Sequence, residues 1–248
     1  MTAAQALQAY VERYFVRRDE LARLANVPES RIAALIAARA IPIPIYTLWP
    51  NGAFSSPIGG QHGAEPRGEP VHWYAPASAW WIRRGAGLAP EQAATAFAAR
   101  FTADFVTCLQ AEPQGPIGYP GAYRDGRFDP EAAAEIARAE WQDWIDGGYG
   151  VCLRHADARH AITKTCRRSA VLAITDAGRL PALSADQREA LLSALEELDS
   201  VMLPFAPHQR PHGTPGLWLD AMLARYGLGT TREAAAPGAV PQADRICA

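Results

Sequence analysis

The sequence predicts a mostly α-helical protein: an irregular helical bundle that opens with a helix-turn-helix-like unit and has few or no short strands. Three observations lead to this prediction. Apolar residues recur at three- and four-residue spacing in most segments. Two short helical segments near the amino terminus are joined by a three-residue turn, as in a helix-turn-helix. The stretches between helical segments are rich in glycine and proline and lack a helical period.

Residues 1–46 contain the predicted helix-turn-helix-like unit. Amphipathic helices are expected at residues 3–15, 18–25 and 28–39. Pro42 and Pro44 then require an extended chain, because proline excludes helix at its own position and disfavours it just before. The unit therefore ends at Tyr46.

Residues 47–228 are expected to form a helical main body that packs with this unit as one domain, followed by a disordered tail at 229–248. Residues 50–76 are predicted to be irregular, with a short strand at 71–74. Asp157 is a good N-cap, and Ser184 with Gln187 makes a capping box. Helices are predicted at residues 90–109, 130–145, 157–175, 184–201 and 214–226.

Composition excludes several function classes. The net charge of −2 disfavours a protein that holds nucleic acid by phosphate neutralisation alone. No apolar run approaches the roughly 20 residues of a membrane span, so a cytoplasmic protein is expected. Phosphate-loop, dinucleotide, nucleophile-elbow and paired-cysteine zinc motifs are missing from the sequence. We therefore predict neither a nucleotide cofactor nor a metal site.

The helix at residues 28–39 could also be a DNA-recognition helix. Its outward positions are mostly alanine, and only Arg31 and Arg39 could contact DNA. A module that packs against the rest of the chain is the favoured alternative, since a fold unit alone does not imply function.

The proline-rich turn at residues 204–212 holds His208 and Arg210 between two apolar helices. Histidine titrates near neutral pH and arginine binds anions bidentately, so a catalytic site is plausible here. The alternative is a helix connection in which Arg210 pairs with a surface carboxylate. His208 and His212 are spaced like a metal pair, but the intervening proline excludes the helix that would align them.

Lys164 is the one lysine of the chain and lies four residues before Arg168 on a predicted helix. The two could bind an anionic group or simply form a solvated helix face. Asp125 and Glu140 are candidate carboxylates, and a carboxylate near buried tryptophans would have a raised pKa suited to proton abstraction. Four aromatic residues are expected to bind substrate together with Arg168: Tyr46, Trp73, Trp80 and Trp81.

Five stretches resemble one bacterial family, catalogued as domain of unknown function 6058 and associated with natural-product biosynthesis. They are Glu20-Leu21-Ala22 leading to Ile41-Pro42-Ile43-Pro44-Ile45-Tyr46, then Gly147-Gly148-Tyr149-Gly150-Val151-Cys152-Leu153, Ile162-Thr163-Lys164, and Pro204-Phe205-Ala206-Pro207-His208-Gln209-Arg210. Ile45, Thr165 and Gln209 depart from the family's pattern, which is typical of a divergent member.

The resemblance implies a small-molecule pathway, and some relatives are tied to the closure of strained nitrogen rings. Such a closure needs a base and a cationic group that takes charge on a departing anion. Arg210, His208 and Lys164 would suit the cationic role, and Asp125 or Glu140 the basic role.

Three function classes remain open. The first is a natural-product enzyme that acts without a nucleotide cofactor on a small amine or acid intermediate, free or carrier-bound, by ring closure or group elimination. The second is a non-catalytic partner of a biosynthetic enzyme, and the third a DNA-binding regulator. The partners expected are a small-molecule substrate and a carrier protein or partner subunit, but neither nucleic acid nor a membrane.

Overall fold

The computed structural model describes residues 3–229 and is mostly helical, as predicted. The predicted tail lies outside the described residues except for Gly229. None of the described helices is both long and apolar enough to cross a membrane. The α-helices are α1 (Ala3–Tyr14), α2 (Arg18–Ala25), α3 (Glu29–Ala37), α4 (Ser78–Arg84), α5 (Pro90–Gln110), α6 (Gly115–Gly118), α7 (Pro130–Ile145), α8 (Ala158–Thr175), α9 (Ala185–Val201) and α10 (Ala221–Tyr226).

The expectation of few or no strands is corrected by two antiparallel sheets. Four three-residue strands form one sheet in the order β3-β2-β1-β4: β1 (Tyr46–Leu48), β2 (Phe54–Ser56), β3 (Gly60–His62) and β4 (Val71–Trp73). A two-stranded hairpin comprises β5 (Tyr123–Arg124) and β6 (Arg127–Phe128). Strands this short do not show the alternation by which strands are recognised in a sequence, and only β4 was expected.

Several helix boundaries follow from capping residues. The Asp157 side chain accepts from the His160 amide, and Ser184 with Gln187 forms the expected capping box. Asn26 ends α2 in the left-handed conformation and forms the turn before α3. The helix predicted at 214–226 divides into a π-helix at Pro215–Asp220 and α10.

Two hydrophobic clusters lie next to the candidate site. The larger contains an aromatic group in which Trp81 contacts Phe97 and Trp141. The smaller packs α1 against the four-stranded sheet through Tyr10, Phe15 and Tyr46. These clusters fix the orientation of α1, α7 and the first strand.

The segment between α7 and α8 reverses the chain. Gly147 takes a left-handed conformation with φ of 86°, and a 3-10 helix at Tyr149–Val151 follows. Leu153 then pairs with Met202 at the end of α9. The reversal brings the carboxyl-terminal half of α7 close to the first half of α8.

Candidate functional site

Four side chains form what we call the inner cluster: Glu140 on α7, Tyr149 and Cys152 on the connecting segment, and Lys164 on α8. The Tyr149 hydroxyl donates a hydrogen bond to the Glu140 carboxylate. The Lys164 ammonium donates to Cys152 Sγ at 3.0 Å and lies 5.2 Å from the centre of the Tyr149 ring. A carboxyl, an ammonium, a phenol and a thiol therefore share one site.

Glu140 is half-buried, and this burial raises the pKa of its carboxyl to about 7. This value already includes the smaller effects of the Tyr119 hydroxyl and the Lys164 ammonium, which lower the pKa, and of Asp143, which raises it. A carboxyl with a pKa near neutrality can both accept and donate a proton under physiological conditions. Burial, rather than a charged neighbour, is the main cause of the raised pKa of Glu140.

The helical period explains why Glu140 faces the cluster. The buried face of α7 includes Ala133, Ala137 and Trp141, and Glu140 lies at the edge of this face. On α8, Lys164 is likewise half-buried and lies one helical turn after the buried Ala161. Both side chains therefore start at the boundary between core and solvent and reach inward.

A second row of polar groups lies on the α1 side of Cys152. The Tyr46 hydroxyl donates to Gln209 Oε1 at 2.7 Å, and Gln209 Nε2 donates to Ser56 Oγ at 3.1 Å. Burial raises the pKa of both Tyr10 and Tyr46, and Cys152 contributes electrostatically to each shift. The Tyr10 hydroxyl is buried without a hydrogen-bond partner among the described residues. Cys152 therefore lies between the inner cluster and this row.

His208 lies at the far end of the second row, near Gln209. Its ring is 5.0 Å from Phe54 and 5.3 Å from His62, measured between ring centres. Burial lowers the pKa of His208, and the neighbouring His62 lowers it further. The imidazole is therefore held mainly neutral.

Arg210 and Asp125 lie apart from the inner cluster. Arg210 forms a bidentate pair with Asp220 at 2.8 and 2.7 Å, as in the alternative that assigned it a surface carboxylate. Asp125 is exposed at the tip of the β5–β6 hairpin, where it and Gly126 have positive φ values of 50° and 76°. This Asp-Gly pair is typical of a type I′ turn. The structure therefore does not bring either residue to Lys164.

The three tryptophans expected to bind substrate do not meet in one pocket. Trp81 is buried in the larger core and donates to the Ala156 carbonyl at 2.7 Å. Trp80 lies under the Arg84 guanidinium, 3.6 Å from it. Trp73 lines a separate cavity of about 210 Å³ beside α1. Arg168 is exposed on α8.

Sequence reasoning missed the contributions of Tyr10, Tyr119, Tyr149 and Cys152. Tyr149 and Cys152 lie in the stretch 147–153 that carries the family resemblance, and this was the available signal. Tyr10 has the helical spacing of an ordinary core residue, so nothing in the sequence distinguishes it. Their convergence depends on tertiary packing.

Arg31 on α3 and Arg39, two residues after its end, both form hydrogen bonds within the protein. Arg31 donates to the Gly85 and Leu88 carbonyls at 2.7 and 2.5 Å. Arg39 contacts Asp146 at 2.9 Å. Arg31 is half-buried, and Arg39 is exposed but paired with Asp146, so neither is a free cation of the kind that a recognition helix presents to DNA.

Over residues 3–229, no group of three histidine, cysteine or acidic side chains could hold a metal ion. The fold and the site together define a mostly helical protein with a polar cluster between two long helices. The chain belongs to the family of unknown function DUF6058, whose pattern matches residues 93–227. All four residues of the inner cluster lie in the matched region, whereas Tyr10 and Tyr46 precede it. No curated protein and no solved structure matches the chain.

Proposed function

We propose that this protein is an enzyme of natural-product biosynthesis that moves a proton to or from a small amine or acid intermediate at Glu140. The observation that carries the proposal is the placement of Glu140: a half-buried carboxyl that accepts from Tyr149 and lies near Lys164. General acid–base catalysis is most efficient when the pKa of the catalytic group lies near the working pH. No nucleotide cofactor takes part in the proposed reaction.

Glu140 acts as the base in this proposal. Its carboxylate takes a proton from the amine or from a carbon acid, and the Tyr149 hydroxyl holds the carboxylate in position. Lys164 supplies positive charge on the same side of the site and stabilises negative charge that develops on a departing group. Ring closure and group elimination both need this pairing of base and cation.

We place this activity in the cytoplasm, with the intermediate presented either free or on a carrier protein. A regulator that binds DNA through α3 has less support, because Arg31 and Arg39 are engaged in internal hydrogen bonds. A non-catalytic partner with a basic rim on α8 also has less support. Lys164 points to Cys152, and Arg167 is paired with Glu112 and Glu197.

The proposal is tested by incubating the purified protein with a small-molecule extract of the organism that encodes it. Compounds that appear or disappear are measured by mass spectrometry. We expect the wild-type protein to convert a defined compound and Glu140→Gln to lower the rate by about 100-fold or more, as expected for loss of a general base.

The matched control is Glu135→Gln, which removes an exposed carboxylate from the same helix. It should convert the compound at the wild-type rate, and thermal unfolding should show that both variants are folded. An extract left unchanged by the wild-type protein, or a Glu140→Gln variant as fast as wild type, contradicts the proposal.

A further inference from the structure

The connecting segment between α7 and α8 carries a thiol whose surroundings differ from those of an ordinary buried cysteine. Cys152 is 2% exposed and free, and its sulfur accepts from the Lys164 ammonium at 3.0 Å. An ammonium beside a thiol stabilises the thiolate, which is the nucleophilic form of cysteine. The contact therefore places a potential nucleophile directly beside a cation.

A second observation, independent of this pair, points to a ligand at the same place. Tyr10 on α1 is 7% exposed, and its hydroxyl lies beside that of Tyr46, which donates its own proton to Gln209. The geometry leaves the Tyr10 hydroxyl without a well-formed hydrogen bond among residues 3–229. A buried hydroxyl without a partner is costly unless another molecule supplies one. Tyr10 also interacts electrostatically with Cys152, so this hydroxyl and the sulfur belong to the same region of the protein.

A carbonyl compound fits these groups together. Its carbon faces the Cys152 sulfur, and its oxygen accepts from the Tyr10 hydroxyl, which is a donor of the kind that stabilises a tetrahedral oxyanion. Lys164 and Glu140 are half-buried, so the substrate approaches from their side.

We propose that Cys152 is a catalytic nucleophile that accepts the acyl group of an activated acyl compound, such as a thioester, and holds it covalently. This deepens the proposed function and rests on it, since it names an activated acyl group as the form in which the acid intermediate enters the site.

The step balances without an oxidant or a reductant. The Cys152 thiolate attacks the carbonyl carbon, so the Sγ–C bond forms and the carbonyl electron pair moves to oxygen. The tetrahedral intermediate collapses and breaks the bond from carbon to the leaving thiol. The leaving thiolate takes up the proton that the Cys152 thiol gave up. The products are an acyl group on Cys152 and a free thiol.

Acylation of Cys152 would create a proton that Glu140 can remove. A thioester acidifies the hydrogen on the carbon next to the carbonyl, and a base with a pKa near neutrality can remove that proton. Covalent capture at Cys152 and proton abstraction at Glu140 are therefore successive steps at one site.

The chain contains its own matched control. Cys166 on α8 is also free and fully buried; burial, with a smaller contribution from Glu112 and an opposing one from Arg167, raises the pKa of its thiol to about 12. The two cysteines are therefore equally buried, but the Cys152 sulfur accepts directly from an ammonium at 3.0 Å.

The test uses the folded full chain at neutral pH and two probes, iodoacetamide and the simple thioester S-acetyl-N-acetylcysteamine. Peptide mapping by mass spectrometry measures modification at each cysteine with time. We expect both probes to modify Cys152 about tenfold or more faster than Cys166, and Lys164→Met to slow Cys152 by a similar factor while keeping the side-chain volume.

Three outcomes would overturn the inference: Cys152 reacting no faster than Cys166, an acetyl group absent from Cys152, or a rate unchanged in Lys164→Met. Cys152→Ser and Cys152→Ala should both lose conversion of the natural compound, whereas Cys166→Ala should keep it. Two substitutions of different size guard against a folding defect. If Cys152→Ser converts the compound normally while Glu140→Gln does not, this inference fails and the proton-transfer function stands. If Glu140→Gln converts it normally while Cys152→Ser does not, the proton-transfer function fails and the role of Cys152 stands.

Discussion

The inner cluster and the proline-rich corner at residues 204–212 both hold charged side chains, yet they use them differently. In the corner, the Arg210 guanidinium forms a bidentate ion pair with the Asp220 carboxylate. In the inner cluster, Lys164 contacts a thiol and Glu140 accepts from a phenol. Among the described residues, no salt bridge includes either Glu140 or Lys164.

This difference indicates which charged side chains are free to interact with a substrate. A charge that is neutralised by a fixed partner mainly stabilises structure, and at a surface such a pair contributes little. A charge that has no fixed ion-pair partner can still act on a substrate. We therefore expect substitutions in the inner cluster to affect activity and those in the corner to affect stability slightly.

The largest effect is expected for Lys164→Met. This variant removes the ammonium that contacts Cys152 and stabilises departing negative charge, so conversion should fall about 100-fold. Turnover of the compound found in the extract is the measurement. Arg138→Met, which removes an exposed cation from α7, is the control. Equal losses in the two variants would show that overall charge rather than the cluster is responsible.

The next effect concerns stability and pH. Glu140 has a pKa of about 7 in the folded protein against 4.5 in an unperturbed carboxyl. The folded state therefore binds the proton more tightly, and this contribution is fully present below pH 4.5 and lost as the pH rises toward 7. We expect the wild-type free energy of unfolding to fall over this interval, relative to Glu140→Gln, by on the order of 3 kcal/mol.

Denaturant unfolding at several pH values measures this difference. If the free energy of unfolding depended on pH in the same way in the two proteins, Glu140 would have an ordinary pKa in the folded state. The base assigned to the site would then be ionised throughout and would lack the matched pKa that the proposal uses.

Sequence patterns predicted the helices better than the sheet. The start of α8 follows from Asp157 and that of α9 from the Ser184 capping box, because capping is local chemistry. The four-stranded sheet was missed, since each strand has three residues and the pairing joins positions far apart, such as Tyr46 with Trp73. Such pairing is set by tertiary contacts.

Sequence reasoning named two residues of the candidate site but could not bring them together, because their contact depends on tertiary structure. Lys164 was selected because it is the one lysine, and Glu140 because it lies near tryptophans on a helix. Cys152 could not be connected with them before the reversal between α7 and α8 was known. The partner of Arg210 also depends on tertiary structure, because Asp220 lies beyond a proline turn and within a π-helix.

A smaller effect separates two tyrosines that share one hydrophobic cluster. Tyr46→Phe removes the hydrogen bond to Gln209 and should destabilise the protein by about 1 kcal/mol. Tyr10→Phe removes a buried hydroxyl that has no partner among the described residues, so its stability should be unchanged or higher. Thermal unfolding of both variants without ligand measures this contrast. A clear loss in Tyr10→Phe would remove the argument that its hydroxyl awaits a substrate oxygen.

The smallest effect is expected in the corner. Arg210→Met breaks a partly exposed ion pair with Asp220, so the free energy of unfolding should fall by less than about 1 kcal/mol. High salt should reduce the difference further, because exposed charges are screened. Denaturant unfolding at low and high salt measures the loss of stability and its salt dependence. Conversion of the compound is measured on the folded variant. A folded Arg210→Met protein that loses conversion about as strongly as Lys164→Met would place the corner in the active site and reverse the comparison.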